Sequence, residues 1–414
     1  MNKPLHETRK GSALLVFTLC FLAGLCEGYD LLVAGIAAPK FAPVFGLDPA
    51  QLGGVFSAST LGLFVGAIVG GRLADHIGRR AVTIGSLVLL GVFSIATTWA
   101  GDTASLLALR FLTGLGLGGT LPNILALTNE FGNPKNASMR VTMLGSAMPF
   151  GGGIVAALSA ARPDLDWQTV FHIGGYAPLA VAVLMFFALP ESPAFRAAKA
   201  GGAQSNITVT LAGDNRLGPS LLIWSSAFFT ALALYMLINW LPSLLVSKGF
   251  TKPDASKAIM LLTLGGAASG FVFGALSRLK ARALLYIGTW IGMAISVVGM
   301  ASSGNDVRQA FAASFGIGFF ISGGQFLLYA LATEIYPPRV RGTGVGFMVG
   351  IGRLGAVAGP LLAGVLLMAG RDTSTVMLAV VPLIFVALAA ALPLLRNRAE
   401  AAPGATSDRP LPAN

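Results

Sequence analysis

The sequence predicts an all-α membrane protein with twelve transmembrane helices in two pseudo-symmetric six-helix halves. Composition is the first reason. Of the 414 residues, 55% are hydrophobic and 11% are charged, whereas roughly 25% are charged in soluble domains. This composition excludes a soluble enzyme. The apolar segments are the second reason, because runs of about 20 residues cross a bilayer as helices and barrel strands need only half that length.

Twelve apolar segments follow one another with short polar breaks. They lie at approximately residues 12–38, 51–71, 81–100, 104–128, 141–161, 167–189, 219–246, 255–276, 283–303, 308–332, 342–369 and 374–395. One long break, rich in glycine, polar and charged residues, separates six segments from six. We therefore predict four regions: an N-terminal six-helix bundle, a cytoplasmic linker loop, a C-terminal six-helix bundle and a disordered tail, at residues 1–189, 190–218, 219–398 and 399–414.

The orientation follows from the placement of lysine and arginine, because cytoplasmic loops carry an excess of them. With a cytoplasmic N-terminus, 19 of these residues fall on the inside and two within spans, while seven fall outside: Lys40, Arg162, Lys248, Lys252, Lys257, Arg308 and Arg371. Both termini are therefore predicted to be cytoplasmic. The net charge of +11 is explained by this topology, and no nucleic-acid partner is expected.

The first apolar segment carries two carboxylates, Glu27 and Asp30. Their i, i+3 spacing puts both on one face of a helix. A charged, unpaired carboxylate at membrane depth costs roughly 2.5–3.5 kcal/mol on insertion scales. Such a pair indicates a functional site whose partner is a proton or a buried cation. The alternative is a structural salt bridge that locks two helices together.

Two arginines lie within spans, and their depth limits what they can contact. At about 1.5 Å of rise per residue, Asp30 and Arg110 reach a similar depth in the first half and are predicted to pair. Arg353 lies about eleven residues, roughly 17 Å, from the inner end of its span. The second half has no acid at that depth, since Glu334 lies at the inner end. A substrate anion suits its planar guanidinium. The alternatives are backbone carbonyls or Glu27.

Uncharged polar and aromatic residues cluster in spans 7 and 10. Tyr235 and Asn239 are spaced i, i+4 beside Trp240, while Gln325 and Tyr329 share a face of span 10. An aromatic acid needs stacking surfaces and a few fixed hydrogen-bonding groups. The same residues also suit hydrogen bonds between helices, and the sequence leaves both interpretations open.

The two halves of the chain repeat each other. Span 4 ends in an acidic residue and a basic residue follows, Glu130 and Arg140; span 10 has Glu334 and Arg341 in the same places. Spans 5 and 11 each carry a glycine run around a proline. Internal repeats of this kind indicate a transporter with its site between the halves near the midplane.

The segment between spans 2 and 3 contains Gly71, Asp75, Gly78, Arg79 and Arg80 in the pattern Gly-Arg-Leu-Ala-Asp-His-Ile-Gly-Arg-Arg. It resembles the cytoplasmic signature of the major facilitator superfamily, in which these residues form a gating motif. His76 departs from the usual Arg or Lys. The counterpart in the second half, residues 274–282, lacks the Asp.

Glu27-Gly28-Tyr29-Asp30 looks like the Asp-Gly-Tyr/Phe-Asp element of the aromatic acid:proton symporters, a branch of that superfamily. Arg110 and residues 190–193 and 352–355 fit the same branch. Within it, the leading Glu and residues 121–123, 236–242 and 323–325 most resemble the 3-(3-hydroxyphenyl)propionate transporters. The resemblance covers about residues 11–396.

The resemblance implies proton-coupled uptake of an aromatic carboxylate (3-hydroxyphenylpropionate, hydroxybenzoate or similar) across a bacterial inner membrane by alternating access. We also expect a monomeric transporter that is not an enzyme and has no cofactor or metal. The predicted proton-coupling residues are Glu27, Asp30 and Arg110. The predicted substrate contacts are Arg353, Tyr29, Asn123, Tyr235, Asn239, Trp240, Gln325 and Tyr329.

The alternative function is export or exchange of organic anions or drugs on the same fold. The antiporter signature of span 5 has a Gly-Pro step followed by Gly-Gly. Here Met148 precedes Pro149, which weighs against drug efflux.

The predicted topology is testable with single cysteines. Because Lys40 and Lys252 fall outside and Lys199 inside, cysteines introduced near the first two should react with an impermeant thiol reagent added to intact cells. A cysteine near Lys199 should react only after the cells are opened. Labelling at Lys199 in intact cells contradicts the orientation.

Overall fold

The computed structural model describes residues 5–131, 140, 143–192, 217–276, 282–336 and 341–399. These ranges consist of helices and short turns, without a strand. Twelve of the helices are long and apolar enough to cross a membrane. The predicted all-α fold with twelve transmembrane helices is therefore confirmed.

We number the membrane-spanning helices in chain order. Their bounds are α1 Leu5–Phe41, α2 Pro49–Ile77, α3 Arg79–Ala96, α4 Thr103–Glu130, α5 Ala147–Ala161, α6 Trp167–Ala188, α7 Leu217–Ser247, α8 Lys252–Leu276, α9 Arg282–Ala301, α10 Val307–Ile335, α11 Arg341–Met368, and α12 in two segments, Thr373–Leu378 and Val380–Ala399. Successive helices alternate in direction. We call the face of the bundle at which α1 begins the terminal face, and the other one the opposite face.

Aspartate residues start most of the helices at the opposite face. A carboxylate accepts the free backbone N–H groups of a first turn and interacts favourably with the positive end of the helix dipole. Five helices, α2, α4, α6, α10 and α12, have this cap, provided by Asp48, Asp102, Asp166, Asp306 and Asp372. The caps fix where the chain re-enters the apolar layer.

Glycines form the tightest helix contacts, and they do so at matching places in the two halves. In the first half, a Cβ on Gly62 or Gly114 would overlap the backbone of the partner helix along the α2–α4 contact. In the second half, Gly265 and Gly318 have the same role between α8 and α10. The pairs α1–α5 and α3–α6 are likewise matched by α7–α11 and α9–α12. The predicted internal repeat is therefore present in the packing.

The two halves meet through α1–α7, α2–α11 and α5–α8. Near the opposite face, a Cβ on Gly53 would lie 2.6 Å from the carbonyl oxygen of Pro360. One turn deeper, Ser57 Oγ donates a hydrogen bond of 2.7 Å to the carbonyl of Val357. Toward the terminal face, Gly71 of α2 has no described atom within 4 Å of its Cβ direction. These two helices thus diverge toward the terminal face.

The α5–α8 contact shows the same divergence. Gly153 packs against Thr263, with 3.2 Å from its Cβ direction to the hydroxyl. Toward the terminal face, a gap between the helices is lined by residues that include Met143, Ser146 and Phe271. The halves are closed at the opposite face and separate toward the terminal face.

The predicted division into domains remains a prediction. Residues 193–216, which make up most of the predicted linker, lie outside the described residues. The predicted tail also lies outside them from residue 400 onward.

The α2–α4 contact generates a stability prediction. Gly114→Ala should destabilise the protein by about 1–3 kcal/mol, the usual range for overpacking, because its Cβ would overlap the carbonyl of Ser59. Gly54→Ala is the matched control, because its Cβ would make an ordinary 3.6 Å contact with Leu107. The measurement is the thermal unfolding midpoint in detergent. Equal midpoints for the two variants contradict the packing.

Candidate functional site

Asp30 and Arg110 form a buried ion pair between α1 and α4, as predicted. The Nη2 atom of Arg110 lies 3.0 Å from Oδ2 of Asp30, and Nη1 donates to Oδ1 at 3.3 Å. Ser94 also donates to Asp30, at 3.3 Å, and Ser59 accepts from Arg110, at 3.2 Å. The guanidinium lies 5.4 Å from the centre of the Phe171 ring. Both charges are therefore paired within the first half.

Glu27 lies one turn away from this ion pair and has a different environment. Its side chain is fully buried, and neither oxygen has a hydrogen-bond partner among the described residues. The next residue, Gly28, lies against the backbone of Met148, so that α1 and α5 touch beside the carboxyl group. The opposite charge that acts on Glu27 belongs to Arg353 of the second half.

Arg353 is held by α7 and α11. Gly355, half a turn further along α11, packs on the backbone of Phe228, which brings the two helices together. Nη1 of Arg353 then donates a hydrogen bond of 2.7 Å to the hydroxyl of Tyr235. The guanidinium also interacts electrostatically with Glu27 and with Tyr329 of α10. Side chains from three helices of the second half thus meet around Arg353, which also interacts with a carboxyl group of the first half.

These side chains are only partly buried. Tyr329 is 37% exposed although it interacts with Arg353, and Arg353 and Tyr235 are half-buried. Gln325 lies one turn from Tyr329 on α10, is half-buried, and has no hydrogen-bond partner among the described residues. Spacing of i, i+4 puts the two on the same face of the helix.

The other four predicted substrate contacts have polar groups that bond to backbone carbonyls. Tyr29 donates to Val170 at 3.0 Å, Asn123 to Gly119 at 2.8 Å, Asn239 to Tyr235 at 2.9 Å and Trp240 to Pro360 at 3.0 Å. All four side chains are buried. Trp240 also meets Phe56 of the first half edge-on, with ring centres 5.5 Å apart, and so contributes to closure at the opposite face. A substrate contact by these four residues remains a prediction.

The motif that the resemblance predicts to act in gating lies at the α2–α3 turn on the terminal face. Gly78 has φ of 98°, a conformation that favours glycine. Its Cβ direction points at the carboxylate of Glu191, which also accepts from the backbone N–H of Arg80 at 3.2 Å. Arg79 pairs with Glu130 of α4. Gly71 lies at the open end of α2, and the side chain of Asp75 lies outside the described part of the structure.

Sequence reasoning did not identify Glu130 and Glu191 as partners of this motif. The available signal is weak: each is an isolated acid just where a span ends, next to a terminal face rich in arginine. Their contacts with Arg79 and Arg80 depend on how α4 and α6 pack against the turn. Depth along the helices predicts the Asp30–Arg110 pair, but it does not predict contacts between a turn and the ends of other helices.

The arrangement around Arg353 is suited to hold an anion and to move a proton. A guanidinium has five N–H donors, one of which bonds to Tyr235, so donors remain for a carboxylate in bidentate geometry. Two phenol rings provide apolar surface beside it. Glu27 is a protonatable group without a hydrogen bond. Across the described ranges, no cluster of three His, Cys, Asp or Glu residues could hold a metal ion.

Comparison with known proteins agrees with this geometry. The Major Facilitator Superfamily model matches residues 20–304 and 258–413. A 3-(3-hydroxy-phenyl)propionate transporter of Escherichia coli is 43% identical over 393 residues, 94% of this chain and 96% of that protein. A gallate transporter of Pseudomonas putida is 32% identical, covering 95% of this chain and 94% of its own length. A 4-hydroxybenzoate transporter of Pseudomonas aeruginosa is 31% identical, covering 92% of each.

Solved structures share the fold. A D-xylose–proton symporter superimposes with a TM-score of 0.74 at 16% identity, covering 91% of this chain and 97% of that one. A bacterial homologue of the human lysosomal transporter Spinster, in an inward-facing and unoccupied conformation, gives 0.71 at 16% identity, covering 97% and 99%. Sequence, packing and fold agree, and the chain belongs to the Major Facilitator Superfamily.

Proposed function

We propose that this protein is a secondary active transporter that takes up an aromatic carboxylate together with protons across a bacterial inner membrane. Both termini are cytoplasmic in this proposal, so the terminal face is the cytoplasmic face. The described conformation, closed at the opposite face, is then open to the inside. Uptake by alternating access moves the site around Arg353 from the outer to the inner solution.

The observation that supports this proposal best is the position of Glu27 and Arg353. They lie on opposite halves and attract each other electrostatically, while Glu27 has no hydrogen bond to a described residue and Arg353 retains free donors. An unpaired buried charge costs several kcal/mol. Each group therefore depends on the other when the site is empty, and a negatively charged ligand changes both.

Binding of the substrate carboxylate to Arg353 explains the coupling to protons. The carboxylate takes the guanidinium donors and leaves Glu27 as a buried anion next to another anion, which is unfavourable. Glu27 therefore has to bind a proton before the loaded site can close. Once the site opens to the inside, substrate and proton leave, and Glu27 and Arg353 attract each other again. Arg353 thus couples the binding of the substrate to the binding of the proton.

The aromatic part of the substrate has suitable surfaces beside the guanidinium. Tyr235 and Tyr329 provide rings for offset or edge-on contact, worth about 0.5–1.5 kcal/mol each. Gln325 has an amide free to bond a phenolic hydroxyl. We therefore propose a hydroxyphenylpropionate or a hydroxybenzoate as the substrate, the class of compound for which the similar transporters are named.

In this mechanism Asp30 and Glu27 have different roles. Asp30 is already paired with Arg110 and hydrogen-bonded to Ser94, so it stabilises the first half in the charged form. Glu27 has no such partners and carries the proton. Arg110 belongs to the structural pair and contributes to coupling only by holding α1 in place.

Glu27→Gln should abolish accumulation of a labelled phenylpropionate driven by a pH gradient in liposomes. The neutral amide cannot exchange a proton, but it still permits the loaded protein to change conformation. Exchange between equal substrate concentrations on the two sides should therefore persist. Asp164→Asn is the matched control, because this exposed acid lies far from Arg353, and it should accumulate substrate normally.

Asp30→Asn tests the division of roles. It leaves Arg110 as a buried cation without its partner. Such a change lowers the free energy of unfolding by about 3–5 kcal/mol. We expect a lower unfolding midpoint for Asp30→Asn and little change for Glu27→Gln.

Gradient-driven accumulation by Glu27→Gln with the pH dependence of the unmodified protein contradicts the proposed proton site.

Arg353→Ala should weaken binding of 3-phenylpropionate far more than binding of its uncharged amide. A charge-assisted hydrogen bond contributes roughly 1.5–3 kcal/mol, so the loss for the carboxylate should be about tenfold to over a hundredfold. Arg353→Lys keeps the charge but loses the bidentate geometry, and should also bind weakly. The measurement is calorimetric binding to purified protein.

The control for this series is Arg162→Ala, which removes an exposed arginine paired with Asp164. It should leave both affinities unchanged. If the carboxylate and the amide weaken equally in Arg353→Ala, the residue has a structural role and the carboxylate is recognised elsewhere.

A further inference from the structure

A second cluster of cations lies between the halves, at the opposite face. A partly open cavity of about 20 Å³ lies there between the ends of α1, α5, α7 and α8. Lys40 and Ser159 line it from the first half, Lys252 and Ser256 from the second. No acidic residue lines it within the described ranges. We call it the lysine cavity.

The two lysines repel each other across the cavity. The Lys40 ammonium donates to the carbonyl of Pro163 at 3.0 Å and to that of Leu165. An ammonium has three hydrogens, so one donor of Lys40 remains. Closure of the halves at this face therefore brings like charges together, and the described side chains of the lining offer no counter-charge.

The nearby acids are engaged elsewhere. Asp164 and Asp166 attract Lys40, but Asp164 pairs with Arg162 at 2.9 Å and Asp166 caps α6. Asp254, next to the cavity on α8, accepts from Thr251 at 2.6 Å and from Lys257 at 3.4 Å. None of these carboxylates is among the residues that line the cavity.

Two largely buried serine side chains that line the lysine cavity point to a ligand there. Ser159 is 8% exposed and Ser256 is 6% exposed, and neither has a hydrogen-bond partner among the described residues. Buried hydroxyls in proteins are normally bonded. The N-terminus of α8, a helix of 25 residues, also lies at the cavity, because Lys252, Ala255 and Ser256 belong to its first turns. Helix N-termini favour anions.

We propose that the lysine cavity binds a small monovalent anion, either a halide ion or the carboxylate group of an organic acid. The anion accepts hydrogen bonds from Ser159 and Ser256 and neutralises the repulsion between Lys40 and Lys252. Since each half contributes one serine and one lysine, the site is complete only when the halves are closed at the opposite face. Its occupancy therefore stabilises that conformation, independently of what binds at Arg353.

The test of binding is thermal unfolding of the purified protein in detergent, with sodium chloride replaced at constant ionic strength by sodium methanesulfonate, a bulkier anion that has no carboxylate. Chloride should raise the midpoint in a saturable way. Lys252→Gln, and Ser159→Ala with Ser256→Ala, should each weaken the apparent chloride affinity at least tenfold. Lys257→Gln is the matched control: it removes an exposed lysine from the same helix that does not line the cavity, and should respond as the unmodified protein does.

The serine double variant keeps every charge, so it remains informative if a lysine variant fails to fold. Equal midpoints in chloride and methanesulfonate overturn the proposal, and so does unchanged chloride affinity in the serine variant. The source of the anion is assigned with 3-phenylpropionate in methanesulfonate buffer on the Arg353→Ala protein. If 3-phenylpropionate stabilises this protein and Lys252→Gln abolishes the effect, the cavity also binds organic carboxylates. If chloride stabilises the protein but 3-phenylpropionate does not, the cavity binds halides.

The conformational consequence is tested separately with Ser57→Cys, after replacement of the two native cysteines. Ser57 is 4% exposed and bonds across the closed α2–α11 contact, so a thiol there reacts only when the opposite face opens. Chloride should slow its labelling severalfold relative to methanesulfonate, and Lys252→Gln should remove the difference. Equal labelling rates in both salts overturn the proposed stabilisation of closure.

Discussion

The cost of a charge inside an apolar layer governs this structure. The deepest charged side chains of the described helices are two acids and two arginines. Asp30 and Arg110 satisfy each other by hydrogen bonds within one half. Glu27 and Arg353 remain, one on each half, and they interact across the space between the halves. Because their attraction crosses that space, it changes whenever the halves move or an anion enters.

The packing provides the rigidity that this arrangement requires. Glycine contacts along α2–α4 and α8–α10 hold each half as a unit, so movement is confined to the three contacts between the halves. Two of these, α2–α11 and α5–α8, are related by the internal repeat and separate toward the same face. A small change in the angle between two rigid halves therefore opens one face and closes the other, as alternating access demands.

Much of this could be predicted from the sequence, and the limit has a physical cause. Helix number and the Asp30–Arg110 pair follow from hydropathy and from depth along helices of one half. The proximity of Glu27 to Arg353 was one of three alternatives, because it depends on how two halves meet. Asn239 and Trp240 show a different limit: sequence reveals their polar groups but not that the carbonyls of Tyr235 and Pro360 bond them.

The two electrostatic contacts between the halves have opposite signs at different depths. Glu27 attracts Arg353 near the middle of the bundle, while Lys40 and Lys252 repel each other at the opposite face. An anion has opposite effects at the two places, since it competes with an attraction at Arg353 and removes a repulsion at the lysines. An anion at Arg353 therefore weakens the attraction between the halves and repels Glu27 until Glu27 is protonated. An anion at the lysines removes a repulsion and so favours contact between the halves. The balance between open and closed states then depends on which of the two sites is filled, although both recognise the same kind of charge.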